Sequence, residues 1–175
     1  MGEEAFEALV AAHHGEIYRY LARATARASD AADLSQDTFL RAFRAYRSLP
    51  PEANVRAWLF AIATNLCRNE FRAKTRRRKA YAAVSAEGRG IIDQGPEGET
   101  LFNDARTRIE AVVHHLPLKQ RLAFVLRKVH DLDYETIARS LDCSAESARA
   151  HVFQALRKIR QGLDSYERSH REPPR

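Results

Sequence analysis

Two short helical patterns meet at a tight turn in DYETIARSLDCSAESARAHVFQALRKIR, residues 133–160, and few folds accommodate such a junction. Asp133 is suited to cap a short helix in which Ile137, Ala138 and Leu141 form the apolar stripe. Asp142 and Cys143 make the turn, and Ser144 caps a second helix with Ser147 at its third helical position. In that second helix Ala148, Val152, Ala155 and Ile159 repeat along one face, while Arg149, Phe153, Arg157 and Arg160 repeat along another. A packed face beside an arginine-bearing face is what a helix needs to enter the major groove, so the segment reads as a helix-turn-helix for DNA. The same pattern also suits an ordinary amphipathic hairpin with a solvated basic side, so the rest of the chain has to be weighed.

Every other long segment has helical periodicity, and none alternates as a strand would. Glu4 to about Arg27 places Phe6, Leu9, Val10, Ile17 and Leu21 on one stripe. Asp30 to Tyr46 begins with an acidic turn that suits the helix dipole and predicts a stripe of Ala32, Phe39, Phe43 and Tyr46. Leu49-Pro50-Pro51 breaks that pattern, after which Asn54 caps a helix to about Lys74, with Val55, Trp58, Leu59, Ile62 and Leu66 inside. Further on, Leu101, Ala105, Ile109 and Val112 line one helix. Pro117 starts the next, with Leu118, Leu122, Val125 and Val129 inward. The fold class is all-α.

Charge and glycine content divide these helices into two small domains. Residues 1–84 carry 14 Lys and Arg against 9 Asp and Glu, residues 101–175 carry 14 against 10, and residues 85–100 carry 1 against 4. Two basic modules are therefore joined by an acidic connector, which holds Gly88, Gly90, Gly95, Pro96 and Gly98 and reads as a flexible linker. The expected boundaries are a first domain over 1–84, a linker over 85–100, a helix-turn-helix domain over 101–165 and a polar tail over 166–175, with no further C-terminal domain. The net charge of +6 fits a polyanionic partner. No apolar run is long enough to span a bilayer or serve as a signal-peptide core, which predicts a cytoplasmic protein with no membrane insertion. Cys67 and Cys143 lie outside any metal-ligand spacing and read as reduced thiols, and His13-His14 and His114-His115 lack nearby partner ligands. No metal site is expected.

Two surfaces stand out in the first domain. On the helix over 30–46, Leu40 lies about opposite the expected buried stripe, ringed by Asp33, Asp37 and Arg44. A lone exposed leucine usually means nothing, but an apolar anchor within a polar rim is how a partner helix is docked. On the following helix the run Lys74-Thr-Arg-Arg-Arg-Lys79 places five bases in six residues, preceded by Arg68 and Arg72. Such a run neutralises phosphates; it also suits a solvated helix C-terminus. Trp58, Phe60 and Phe71 on the same segment offer rings on which unpaired bases stack, although a tryptophan at position 58 also suits the core.

These segments, in this order, resemble the sigma-70 family, specifically its small extracytoplasmic-function (group 4) sigma factors. DAADLSQDTFLRAFRAYRSL at 30–49 resembles regions 2.1–2.2 of that family, NVRAWLFAIATNLCRNEFRAKTRRR at 54–78 resembles regions 2.3–2.4, and residues 116–160 resemble regions 4.1–4.2. The resemblance implies a sigma factor that binds core RNA polymerase at its clamp coiled coil and flap, recognises the −35 and −10 elements of promoter DNA and helps open the duplex. It implies docking positions at Asp33, Gln36, Asp37, Phe39 and Leu40. It implies −10 contacts from the loop Ser48 to Asn54 and the helix after it, at Ser48, Asn54, Arg56, Trp58, Asn65, Arg68, Arg72 and Arg76. It implies −35 contacts at Ser147, Arg149, Ala150, Phe153, Gln154 and Arg157, where Arg149 is suited to a bidentate contact with guanine. The acidic linker resembles the segment that threads polymerase toward the RNA exit path. An anti-sigma factor, often membrane-anchored in this family, is the implied inhibitory partner.

The chain departs from the family pattern in the recognition helix. Glu146-Ser147-Ala148 stands where Gly-Thr-Val is usual, Arg149-Ala150-His151 where Lys/Arg-Ser-Arg is usual, and Gln154 where a base is common; Asn69 replaces a frequent aspartate. No group is arranged for covalent catalysis and no Walker-type glycine loop is present, so neither an enzyme nor a cofactor is expected. A two-module DNA-binding regulator without polymerase docking is the rival reading; the Asp33, Asp37 and Leu40 face would be useless to it. A nucleic-acid hydrolase is more distant, lacking a metal-binding set of carboxylates.

Overall fold

Side-chain caps start three of the helices, α3, α6 and α7, in the computed structural model, which describes the backbone of residues 3–25, 27–84 and 105–171 and the side chains of 4–25, 27–82 and 107–165. Helix α1 (Glu3–Thr25) closes where the Thr25 hydroxyl donates to the Leu21 carbonyl at 2.8 Å. Helix α2 (Ala28–Ala45) passes into a 3₁₀ turn, Tyr46–Ser48, and helix α3 (Val55–Val84) follows. Asn54 Oδ1 accepts from the Ala57 amide at 3.0 Å, satisfying one of the amides that a helix N-terminus leaves open.

Helices α1, α2 and α3 pack against one another around Ile17, Tyr20, Leu21, Leu59 and Phe60, all essentially inaccessible to water. The Tyr20 ring meets Phe60 edge to face at 5.3 Å, and its hydroxyl hydrogen-bonds Thr64 Oγ1 at 2.8 Å, so the polar tip is satisfied inside the core. Burial pushes the Tyr20 phenol well above its ordinary value, with Cys67 adding to the rise.

The second set comprises α4 (Ala105–His114), α5 (Leu118–Lys128), α6 (Tyr134–Leu141) and α7 (Ala145–Arg171). Helix α7 is the common partner of the other three. Leu122, Leu126, Ile137, Leu141, Ala148 and Ala155 are fully buried here. The chain divides into two compact units, Met1–Glu99 and Thr100–Arg175. All regular structure among the described residues is helical.

Several expectations require correction. On α2 the buried set is Ala31, Leu34, Ser35, Thr38, Phe39 and Ala42, while Ala32 and Phe43 are exposed and Tyr46 only half-buried. Four of the six buried residues are small or short, and of the two phenylalanines of α2 only Phe39 is buried while Phe43 is left outside. Helix α3 runs ten residues beyond Lys74, and α7 continues to Arg171, into the segment expected to be a polar tail. Ile109 and Val129 are exposed, because Val113 and Leu126 take the inward positions on α4 and α5. The expected linker at 85–100 and Leu101 lie outside the described residues.

Candidate nucleic-acid interface and docking face

The junction at 133–145 is built as its residue types dictate. Asp133 Oδ1 accepts from the Thr136 amide at 2.8 Å and Oδ2 from the Thr136 hydroxyl at 3.0 Å, capping α6. That backbone hydrogen bond is the main reason its carboxyl is held below the ordinary value. Asp142 takes the left-handed conformation (φ 53°) that ends α6, a role aspartate tolerates better than most residues. Ser144 Oγ accepts from the Ser147 amide at 3.1 Å and shares a 2.9 Å hydrogen bond with the Ser147 hydroxyl, which starts α7.

Helix α7 thus has a fixed axis and two faces. Ala148, Val152, Ala155 and Ile159 are buried, whereas Arg149, Ala150, Phe153, Gln154, Arg157 and Arg160 are exposed, Phe153 by 68%. Among the expected −35 residues, Ser147 is engaged as part of the cap. Gln154 Oε1 accepts from Gln120 Nε2 at 2.7 Å, a contact from α5 that periodicity along α7 alone does not disclose.

The expected −10 residues separate into structural and displayed groups. Ser48 donates to the Ala45 carbonyl at 2.8 Å and Asn54 caps α3, so both ends of the intervening loop are pinned while their side chains stay exposed. Arg56 is engaged by Glu16 of α1: its Nε donates to the two carboxylate oxygens at 3.0 and 3.1 Å, and its guanidinium lies 5.2 Å from the Phe60 ring centre. Trp58 is half-buried. Arg68 is 6% exposed and donates to Asn65 Oδ1 at 3.4 Å, so it is not displayed with the exposed Arg72 and Arg76. Phe60, expected among the stacking aromatics, is consumed by the core. The basic run is partly neutralised internally: Lys74 pairs with Asp30 at 2.6 Å and with Glu70 at 3.7 Å, and Arg77 with Glu70 at 3.3 Å. Tyr81, two residues beyond that run, is 74% exposed and is not singled out by the sequence, which predicts that the helix ends before it.

On α2, Asp33, Gln36, Asp37 and Leu40 are exposed, Leu40 by 48%, while Phe39 is buried. Phe39, Leu40 and Phe43 line one side of a groove of about 460 Å³, with Phe6, Val10, His14 and Tyr18 of α1 on the other. Phe6 meets Phe43 edge to face at 5.1 Å, and His14 lies 5.7 Å from the Phe39 ring. Ser35 Oγ, which also lines the groove, is buried with no hydrogen-bond partner among the described residues. The α1 wall is not evident from the sequence, where Phe6 and Val10 read as part of the apolar stripe and His14 and Tyr18 carry no signal of a groove. Among the described residues, no group of three or more His, Cys, Asp or Glu side chains is placed to hold a metal ion. No helix of the described residues is long and apolar enough to cross a membrane.

Residues 9–77 match the family model for sigma-70 region 2, and residues 106–159 match that for sigma-70 region 4. The chain belongs to the sigma-70 family. It is 30% identical over 165 residues to the ECF RNA polymerase sigma-E factor of Haemophilus influenzae, an alignment covering 90% of this chain and 86% of the relative. It is 27% identical over 169 residues to the RNA polymerase sigma-H factor of Pseudomonas aeruginosa, covering 92% and 87%. In fold it resembles the sigma factor RpoE of Bartonella quintana, solved with the anti-sigma factor NepR (TM-score 0.71, 22% identity, 92% of this chain and 98% of that one). It also resembles CnrH, solved with the cytosolic domain of CnrY (TM-score 0.65, 25% identity, 94% and 90%). It is a promoter-directing RNA polymerase sigma factor of the extracytoplasmic-function type. Helices α1–α3 carry region 2 and α4–α7 carry region 4.

Proposed function

We propose that region 2 docks on the clamp coiled coil of core RNA polymerase through Asp33, Gln36, Asp37 and Leu40, with Phe39 supporting the face from below. The same unit reads the −10 element through the loop from Ser48 to Asn54 and through Trp58, Asn65, Arg72 and Arg76. Region 4 inserts α7 in the major groove at −35, with Arg149, Ala150, Phe153, Gln154 and Arg157 toward the DNA, and also meets the polymerase flap. The observation that carries this reading is the pairing of a half-exposed Leu40, in an acidic rim at the mouth of an apolar groove, with a separate exposed arginine and aromatic face on a capped helix-turn-helix. A DNA-binding repressor has use for the second surface only.

Arg56 and Arg68 have different roles in this reading from those of the exposed bases. Arg56, held by Glu16, stiffens the start of α3, and the buried Arg68 supports Asn65 further along the same helix. The domain limits follow the same division: region 2 over 1–84, a connector over 85–100, and region 4 from 101. The protein works in the cytoplasm as an initiation factor, with no covalent chemistry or cofactor of its own. Two structural relatives were solved with anti-sigma factors or a cytosolic partner domain. We assign this chain such an inhibitor, covering the groove between α1 and α2.

Run-off transcription with bacterial core RNA polymerase over genomic promoter fragments, with and without the protein, tests the assignment. Protein-dependent transcripts from defined start sites are expected, and the aligned upstream DNA gives the −35 and −10 elements. A protein that shifts duplex DNA alone but yields no transcripts is a stand-alone regulator.

A further inference from the structure

The arginine at the start of the recognition helix is attached to a support that lies outside that helix. The Arg149 guanidinium carbon sits 5.1 Å from the ring centre of Tyr134, the first residue of α6. The same ring is met at 5.1 Å by the guanidinium of Arg127, near the end of α5. Arg127 is itself tied down: its Nη1 donates to Asp131 Oδ1 at 3.2 Å and to the Leu132 carbonyl at 3.1 Å. Asp131 adopts a left-handed backbone (φ 52°) in the connection between α5 and α6.

From this arrangement we infer that Tyr134 is a positioning residue for Arg149, holding its guanidinium at the −35 reading surface, with Arg127 and Asp131 fixing the ring. The inference rests on the reading of Arg149 as a −35 contact. An exposed arginine samples many rotamers, and guanine O6 and N7 are read bidentately only when the planar fork is already in place. A guanidinium is weakly hydrated and rests well against an aromatic ring, whose negative face attracts it. Two cations at one ring would repel, but the Asp131 carboxylate compensates the charge of Arg127 and leaves the ring to attract Arg149. Tyr134 is in turn held by the Asp133 cap next to it, so the support is part of the helix-turn-helix itself.

The test uses the full-length protein bound to core RNA polymerase and a promoter found by the transcription assay. Binding is measured against a set of promoters with single changes across the −35 element, and the base pair whose discrimination is lost in Arg149→Ala marks the Arg149 contact. At that base pair Tyr134→Leu should lower discrimination by about 2- to 5-fold, the size of one exposed cation–π contact. Tyr134→Phe should keep the parent value, and the double variant Tyr134→Leu with Arg149→Ala should be no worse than Arg149→Ala alone. Asp131→Asn changes a side chain that is 91% exposed, leaves the core untouched, and should lower discrimination at the same base pair. The inference is overturned if Tyr134→Leu or Asp131→Asn discriminates as the parent does, or if Tyr134→Leu weakens binding further in the Arg149→Ala background. It is equally overturned if Tyr134→Phe is as weak as Tyr134→Leu, since the hydroxyl would then be touching DNA. Arg149→Ala with unchanged discrimination everywhere removes the −35 reading of Arg149 itself, a different result from the others.

Discussion

Phe39 and Leu40 are adjacent in the chain, yet one is buried in region 2 and the other half in water. A leucine in that position contributes little to folding, so its value lies in what it meets. Leu40→Asp is therefore expected to leave helical content and melting temperature nearly unchanged, within about 0.5 kcal/mol. It should weaken binding to core polymerase by about 2 kcal/mol or more, as loss of a central interface anchor does. Fluorescence anisotropy of labelled protein against core enzyme reads this directly, and unchanged affinity would remove α2 from the docking face. Tyr20 presents the opposite case, a polar group whose partner is wholly internal. Tyr20→Phe deletes the hydroxyl paired with Thr64, and region 2 should lose about 1–2 kcal/mol in thermal melting, with no direct effect at the DNA surface. Arg68 shows why single residues mislead a reader of sequence. Set among Arg72 and the run from 74 to 79 it looks like a phosphate ligand, but it is buried and reaches Asn65 one turn before it.

At the level of helices, legibility followed the density of local signals. The junction of α6 and α7 is readable in full, because two capping side chains, a left-handed aspartate and an unbroken apolar period all point to it. The face of α2 was misassigned because it packs through Ala31, Ser35, Thr38 and Ala42, small residues that carry almost no hydrophobic signal, while Phe43 carries a strong one and lies outside. The apolar period fades in the basic run of α3 and the polar end of α7, so the expected ends near Lys74 and Ser165 fall short of Val84 and Arg171, although nothing in those runs opposes a helix. The contact between α4 and α7 was invisible for a similar reason: it depends on the absence of a side chain. A Cβ on Gly162 would lie 2.9 and 3.0 Å from the two methyl carbons of Val112, well inside van der Waals contact. Alanine is the better helix former by about 1 kcal/mol, so an isolated helix would gain from the change. In region 4 the clash should win, and Gly162→Ala should lower its melting temperature. Adding Val112→Ala should return part of the loss, since it removes the methyls in the way. A stabilised Gly162→Ala would mean that α4 and α7 do not approach this closely.

For the molecule as a whole, pH acts on region 4 through two of its histidines. His114 and His151, both in region 4, are held below the ordinary value of 6.5, in each case chiefly by burial, with Arg121 adding to the effect at His114 and Lys119 at His151. The folded unit therefore binds fewer protons than the unfolded chain once the pH falls below about 6.5, so stability present above that pH is lost as the pH drops toward the lowered folded values. The Asp133 cap acts in a lower window. Its carboxyl is also held down, so its contribution is present above 3.8 and disappears only as the pH falls through the lower folded value. Calorimetry of the full chain between pH 7.5 and 5.5 should resolve two transitions, assignable because Tyr20→Phe moves one and Gly162→Ala the other. The region 4 transition should shift to lower temperature across that range. Replacing both histidines with glutamine should flatten its dependence on pH without abolishing the transition. A region 4 transition that ignores pH in the parent protein would show that His114 and His151 are free to take up protons in the folded state, contrary to the burial observed for them.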